Sequence, residues 1–112
     1  MEVTKRPRDL PSKTYRIKTG FGPLYVTIVE LNSEPFEVFC TLGKSGGTIK
    51  AKADLTGRLV ALALRHKVSL KEIIEELVDI QGERPATDEF GTVKSIPDAV
   101  GQLLREVYVN ND

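Results

Sequence analysis

Phe36-Glu37-Val38-Phe39-Cys40-Thr41-Leu42-Gly43-Lys44-Ser45-Gly46-Gly47 is an apolar segment that runs into a glycine-rich turn, and its reading decides the fold. Phe36, Val38, Cys40 and Leu42 fall on one side of an extended chain and Glu37, Phe39 and Thr41 on the other, the period-two mark of a strand with one buried side. This predicts the central strand of a sheet. Beyond it, Gly43, Gly46 and Gly47 permit positive backbone angles, and Ser45 or Thr48 is placed to cap a following helix.

Working upstream, Leu24 to Leu31 alternates Leu24, Val26 and Ile28 against Tyr25, Thr27 and Val29, and Lys13 to Lys18 alternates Tyr15 and Ile17 with polar neighbours. The turn Thr19-Gly20-Phe21-Gly22-Pro23 and the connection Asn32-Ser33-Glu34-Pro35 join the three into an antiparallel meander. Residues 1–12, with two prolines and alternating charge, read as a flexible lead-in to a single domain over 13–109.

Downstream the period changes. Leu55, Leu59, Leu62 and His66, widened by Val60 and Ala63, recur at helical spacing from Thr48 to Lys67 and predict a long helix whose leucine stripe covers the sheet. Gly57 inside it costs about 1 kcal/mol relative to alanine unless it allows close packing. Ser69 with Glu72 has capping-box spacing and opens a second helix with Leu70, Ile73, Ile74, Leu77 and Ile80 on one side, ending near Gln81-Gly82. Glu83 to Lys94 reads as an exposed loop. Ser95-Ile96-Pro97-Asp98 caps a last helix with Val100, Leu103, Leu104 and Val107 inward. The expected architecture is α+β: a three-stranded antiparallel meander followed by three α-helices, the first two packed on the sheet.

Composition narrows the function. Sixteen basic residues balance sixteen acidic ones, which speaks against nucleic acid as a partner. The balance is uneven: residues 1–18 carry six basic side chains and two acidic, and residues 71–112 carry ten acidic and four basic. One cysteine excludes an internal disulfide, and with His66 as the single histidine a zinc site of thiolate and imidazole ligands is excluded too. No apolar run reaches the roughly 20 residues that span a bilayer, so no membrane and a cytoplasmic location are expected.

No catalytic arrangement is evident. His66 sits on a helix without a nucleophile beside it, Cys40 faces inward on its strand, and Glu72, Glu75, Glu76 and Asp79 read as a solvated helix face. The one candidate binding site is the turn of Gly43, Lys44, Ser45, Gly46, Gly47 and Thr48. Backbone amides at a helix start hold anions, and Lys44, with Lys50 and Lys52 close by, would add charge for a phosphate. It is not a P-loop, because no glycine stands upstream of Lys44 where that pattern requires one. The other reading is that the glycines only form a tight corner between strand and helix.

Taken in order, Leu10-Pro11-Ser12-Lys13-Thr14-Tyr15-Arg16-Ile17-Lys18-Thr19-Gly20, Leu24-Tyr25-Val26-Thr27, Pro35-Phe36-Glu37-Val38-Phe39, Leu42 to Gly47, Gly57-Arg58-Leu59 and Leu62-Ala63-Leu64-Arg65 closely resemble the TSCPD domain. That family occurs at the C-terminal end of adenosylcobalamin-dependent (class II) ribonucleotide reductases and as free-standing chains. The resemblance spans about Leu10 to Val107, and Lys94-Ser95-Ile96-Pro97-Asp98 stands where the family carries Thr-Ser-Cys-Pro-Asp. Family members commonly have cysteine at the positions of Phe21, Thr48 and Ile96 and near Gly82, a set suited to a structural metal or a redox cluster. With none of these cysteines here, the resemblance implies no bound zinc, with Phe21 and Ile96 filling the space.

What the resemblance implies about function is a part in deoxyribonucleotide synthesis. These 112 residues are too few for the reductase barrel with its cobalamin site and active-site cysteines, and they lack the terminal cysteine pair that relays reducing equivalents. The expectation is an accessory or regulatory module that docks through a surface of the sheet or the acidic second helix, not catalytic alone and without a cofactor of its own, whose partner is a reductase catalytic subunit that uses adenosylcobalamin. A nucleotide sensor at the Gly43 to Thr48 turn is the alternative. A homodimer closing an apolar second sheet face of Tyr25, Val29 and Phe39 is a further expectation.

Overall fold

The computed structural model describes residues 6–43, 46–89 and 91–110. Strands β1 (Ser12–Thr19), β2 (Gly22–Leu31) and β3 (Glu34–Leu42) form an antiparallel sheet in the order β1-β2-β3. The α+β meander expected from the alternation is therefore present. Asn32 and Ser33, both at positive φ (55° and 66°), make the two-residue turn between β2 and β3. Such a turn matches the twist of paired strands.

The centre of the sheet is β2, not the strand from Phe36 expected there. In a meander the middle strand of the sequence is also the middle strand in space, and β3 is left as an edge. Cross-strand register places Ile17 beside Leu24 and Leu24 beside Leu42, and likewise Tyr15, Val26 and Cys40 in one row. This face is the covered one. Its side chains join Ile96, Ala99, Val100 and Leu103 in a single core.

Helix α1 (Gly47–Arg65) lies along β3, but turned the other way from expectation. Its buried residues are Ala53, Thr56, Gly57 and Val60. The predicted leucine stripe faces outward, with Leu55, Leu59 and Leu62 55%, 56% and 46% exposed. Close approach is the reason. A Cβ on Gly57 would stand 3.0 Å from both the Val38 carbonyl oxygen and the Cys40 nitrogen. Only the small-residue face of α1 can come that near to the strand, so the glycine permits the close packing that offsets its helix cost.

Helix α2 (Leu70–Leu77) starts as expected, with Ser69 Oγ accepting the Glu72 N–H at 3.1 Å. It stops short of Ile80, because Val78 turns extended and Asp79 takes a positive φ of 66°. α2 packs mainly on α3 (Ile96–Leu104), and it is α3 that joins α1 over the sheet. This corrects the expectation that the first two helices cover it. The last helix is the most apolar of the three, with Ile96, Ala99, Val100, Leu103 and Leu104 all buried. It continues as a π-helical turn, Arg105–Val109.

The segment read as a loop from Glu83 to Lys94 contains a small hairpin, β4 (Ala86–Asp88) with β5 (Gly91–Val93). Asp88 Oδ1 accepts the Lys18 N–H at 2.8 Å, which ties the hairpin to the edge of β1, and Val93 is buried. On the uncovered face of the sheet Tyr25 and Phe39 are exposed, whereas Val29 is buried. Arg6 Nε donates to Glu37, the cross-strand neighbour of Val29, at 2.8 Å.

Candidate functional site

The turn after β3 is anchored at its start: the Gly43 N–H donates to the Pro23 carbonyl at 3.0 Å, and a Cβ on Gly43 would meet the Tyr25 ring and Pro23. Lys44 and Ser45 lie outside the described residues. Gly46 is the N-cap of α1 and no side chain caps it, so Thr48, exposed in the first turn, does not serve as expected. Gly47 holds a positive φ of 63°. The first turn of α1 carries no acidic residue, and among the described residues no side chain caps its leading amides. Beside it lies a shallow depression of about 340 Å³ lined by Cys40, Thr41, Gly47, Lys50, Ala51 and Asp54. Lys50 thus joins the turn. Asp54 opposes its charge in the same depression.

Cys40 is a buried thiol. Burial, with a smaller contribution from Asp54, pushes its pKa up to about 12. A thiol held neutral in this way is a poor nucleophile at physiological pH. His66 caps the C-terminal end of α1, where its N–H donates to the Leu62 carbonyl at 3.2 Å. No group of three or more His, Cys, Asp or Glu side chains able to hold a metal occurs among the described residues.

Lys94-Ser95-Ile96-Pro97-Asp98 forms a densely hydrogen-bonded corner among the described residues. Ser95 Oγ accepts the Asp98 N–H at 3.2 Å as the cap of α3 and donates to the Ile80 carbonyl at 2.7 Å. Asp98 is fully buried, and its carboxylate accepts from the N–H groups of Asp79 and Lys94, both at 2.8 Å, and from Gln102 Nε2 at 2.7 Å. The end of α2, the end of β5 and the start of α3 are thereby fixed together. Outside, the Lys94 ammonium bonds Asp79 Oδ1 at 2.9 Å, which holds the Asp79 carboxyl below its ordinary range and raises Lys94.

The family profile of the TSCPD domain matches residues 2–108. The chain belongs to the TSCPD domain family. Neither a curated protein nor a solved structure matches it. The TSCPD family is associated with ribonucleotide reductases. In this TSCPD domain, the positions at which the family resemblance would place cysteine do not fit a metal. Ile96 is buried in the core, and Phe21 packs against the core beneath the Arg84 guanidinium, 5.0 Å from its ring centre. Gly82 is pressed against Lys94 and Ser95, and Thr48 stands on the first turn of α1. None of the four offers a thiolate, and the corner is held by apolar contact and by the Asp98 bonds.

Sequence reasoning places docking on the sheet or the acidic second helix and misses the apolar groove on the outer side of the helical layer of this TSCPD domain. Between α1 and α2 runs an open groove of about 630 Å³ lined by Leu59, Val60, Ala63, Val68, Ile73 and Leu77, with Glu72, Glu75 and Glu76 at its edge. Leu55 and Leu62 are exposed on α1 as well, although they do not line the groove. The available signal was Gly57, with the small residues Ala53 and Thr56 beside it on the helix. Such a face marks the side that approaches a neighbouring backbone, and it implies that the leucines point away.

Proposed function

We propose that this TSCPD domain is an accessory or regulatory module of a ribonucleotide reductase, contributing to deoxyribonucleotide synthesis by docking on the catalytic chain. The observation that supports this reading most directly is the outward leucine stripe of α1. Three leucines on successive turns, each about half exposed, form a row of apolar side chains of the kind that interaction surfaces carry. The reductase would supply the catalytic machinery and its adenosylcobalamin, and this chain a surface.

The test is co-purification of the tagged chain with proteins from its source, followed by reductase assays with and without it. Recovery of a reductase catalytic chain, lost in a Leu55→Ser, Leu59→Ser double variant that keeps its helical circular dichroism, is the expected result. Recovery of no reductase, or a reductase rate unchanged by saturating chain, sinks the reading.

A second reading, a small-nucleotide sensor at Gly43, Lys44, Ser45, Gly46, Gly47 and Thr48, is favoured by the uncapped start of α1 with Lys50 beside it. Calorimetric titration with nucleoside triphosphates distinguishes it from docking. Heat that disappears in a folded Lys44→Glu variant would move the weight to the sensor.

A further inference from the structure

The groove between α1 and α2 has a shape and a charge that specify what enters it. Its walls are two helices, Leu59, Val60 and Ala63 on one and Ile73 and Leu77 on the other, and Val68 in the connection closes one end. Two helices flanking an apolar floor form a surface that accepts a third helix, read through apolar side chains spaced on successive turns. The rim then selects among such helices. Glu72, Glu75 and Glu76 all line it, and none of their carboxylates is in an ion pair among the described residues. On α1, Arg58 is paired with Asp54 at 3.1 Å.

We propose that this groove binds an amphipathic helix of a partner protein, with leucine-like side chains at i, i+4 and i+7 seated against Leu59, Ile73 and Leu77 and with lysine or arginine on its flank facing the glutamate rim. The proposal deepens the docking reading and rests on it: it names the chemistry of the docked segment. Apolar burial supplies affinity in this scheme, and the rim supplies discrimination. Charges at the edge of an interface act mainly on choice of partner and on association rate.

The probe is a fluorescein-labelled synthetic helix of about 16 residues with leucines at that spacing and lysines on the flanks. Two comparison peptides carry glutamate in place of lysine, or the same composition with the leucines shuffled. Fluorescence anisotropy is read at low salt against the whole chain. The basic amphipathic peptide is expected to bind at least tenfold more tightly than the acidic one, about the discrimination that a few rim charges provide. The shuffled peptide should bind far more weakly. Glu72→Lys, Glu75→Lys and Glu76→Lys together should reverse the preference for flank charge, and Leu59→Ser should weaken both peptides while leaving the thermal midpoint in place.

Equal binding of the basic and acidic peptides, or of the ordered and shuffled ones, overturns the proposal. So does the absence of binding up to about 1 mM, where even weak recognition is visible. Light scattering is recorded in parallel. A dimer that Leu59→Ser dissociates would give the groove to a second copy and overturn it as well. No reductase is present in this assay, so its failure is separate from a failure of co-purification.

Discussion

The Asp98 carboxylate accepts the backbone N–H of Asp79 at 2.8 Å across nineteen residues of chain. Asp79 needs such an acceptor, because its left-handed φ of 66° ends α2 and turns its N–H inward. The same carboxylate bonds the Lys94 N–H and Gln102, so Asp98→Ala would leave two backbone donors without an acceptor and Gln102 Nε2 with the Thr92 carbonyl alone. An unsatisfied buried donor costs about 1–3 kcal/mol, and some relaxation is expected, so the variant should lose about 3 kcal/mol of stability by urea unfolding. A loss of under about 1 kcal/mol would show that the network does not hold the corner. The outer Lys94–Asp79 bond is solvent-exposed, and Lys94→Ala should barely move the midpoint.

Gly57→Ala sets two effects against each other. Alanine gains about 1 kcal/mol in helix propensity. Its methyl, however, would meet the Val38 carbonyl oxygen and the Cys40 nitrogen at 3.0 Å, both backbone atoms that cannot rotate aside. Overpacking of a rigid contact costs about 1–3 kcal/mol, so the net expectation is destabilisation by about 1–2 kcal/mol. A stabilised variant would mean that α1 stands further from β3.

Cys40 and Tyr108 make stability fall at alkaline pH. Burial raises the Cys40 pKa from 9.0 to about 12, so between these values the unfolded thiol ionises while the folded one keeps its proton. The stabilisation is complete below about pH 9 and is lost as pH rises toward 12. Tyr108 acts in the same direction. Its pKa is raised by burial first and then by its hydrogen bond to Glu30, which the hydroxyl donates at 2.6 Å. Urea midpoints from pH 8 upward should decline, and less so in Cys40→Ala than in the parent chain. Ellman's reagent should react with native Cys40 far more slowly than with the unfolded chain at pH 8. Fast reaction in the native state would contradict the buried thiol.

Much of this architecture is legible in the sequence because strand alternation depends on one residue at a time. Phe36, Val38, Cys40 and Leu42 sort to one side whatever lies above them, and Ser69 and Ser95 cap their helices through neighbours three residues on. The misreadings have another character. Which face of α1 turns inward depends on how near β3 comes, and that distance is set by Gly57 and the carbonyl of Val38 together. β4 and β5 are three residues each, too short for alternation to register, and they are held by Asp88 reaching back to Lys18. The site is legible only in part for the same reason. Lys44 and Ser45 announce a turn, whereas the α1–α2 groove exists only once Leu59 has been turned away from the sheet.

Leu59 and Val60 test that orientation most sharply. They are adjacent in sequence and nearly alike in hydrophobicity, yet Leu59 is 56% exposed and Val60 4%. If the leucine stripe covered the sheet, Leu59→Ser would open a cavity and expose a polar group to the core, at a cost of about 2–5 kcal/mol. With the small-residue face inward, Leu59→Ser should change stability by no more than about 0.5 kcal/mol, as surface substitutions do. Val60→Ser should then cost about 2 kcal/mol or more, since it removes buried methyl groups and buries a hydroxyl. The two variants, compared by urea unfolding under identical conditions, decide which side of α1 meets β3. A reversed order of cost would return the leucines to the core and remove the surface on which docking depends.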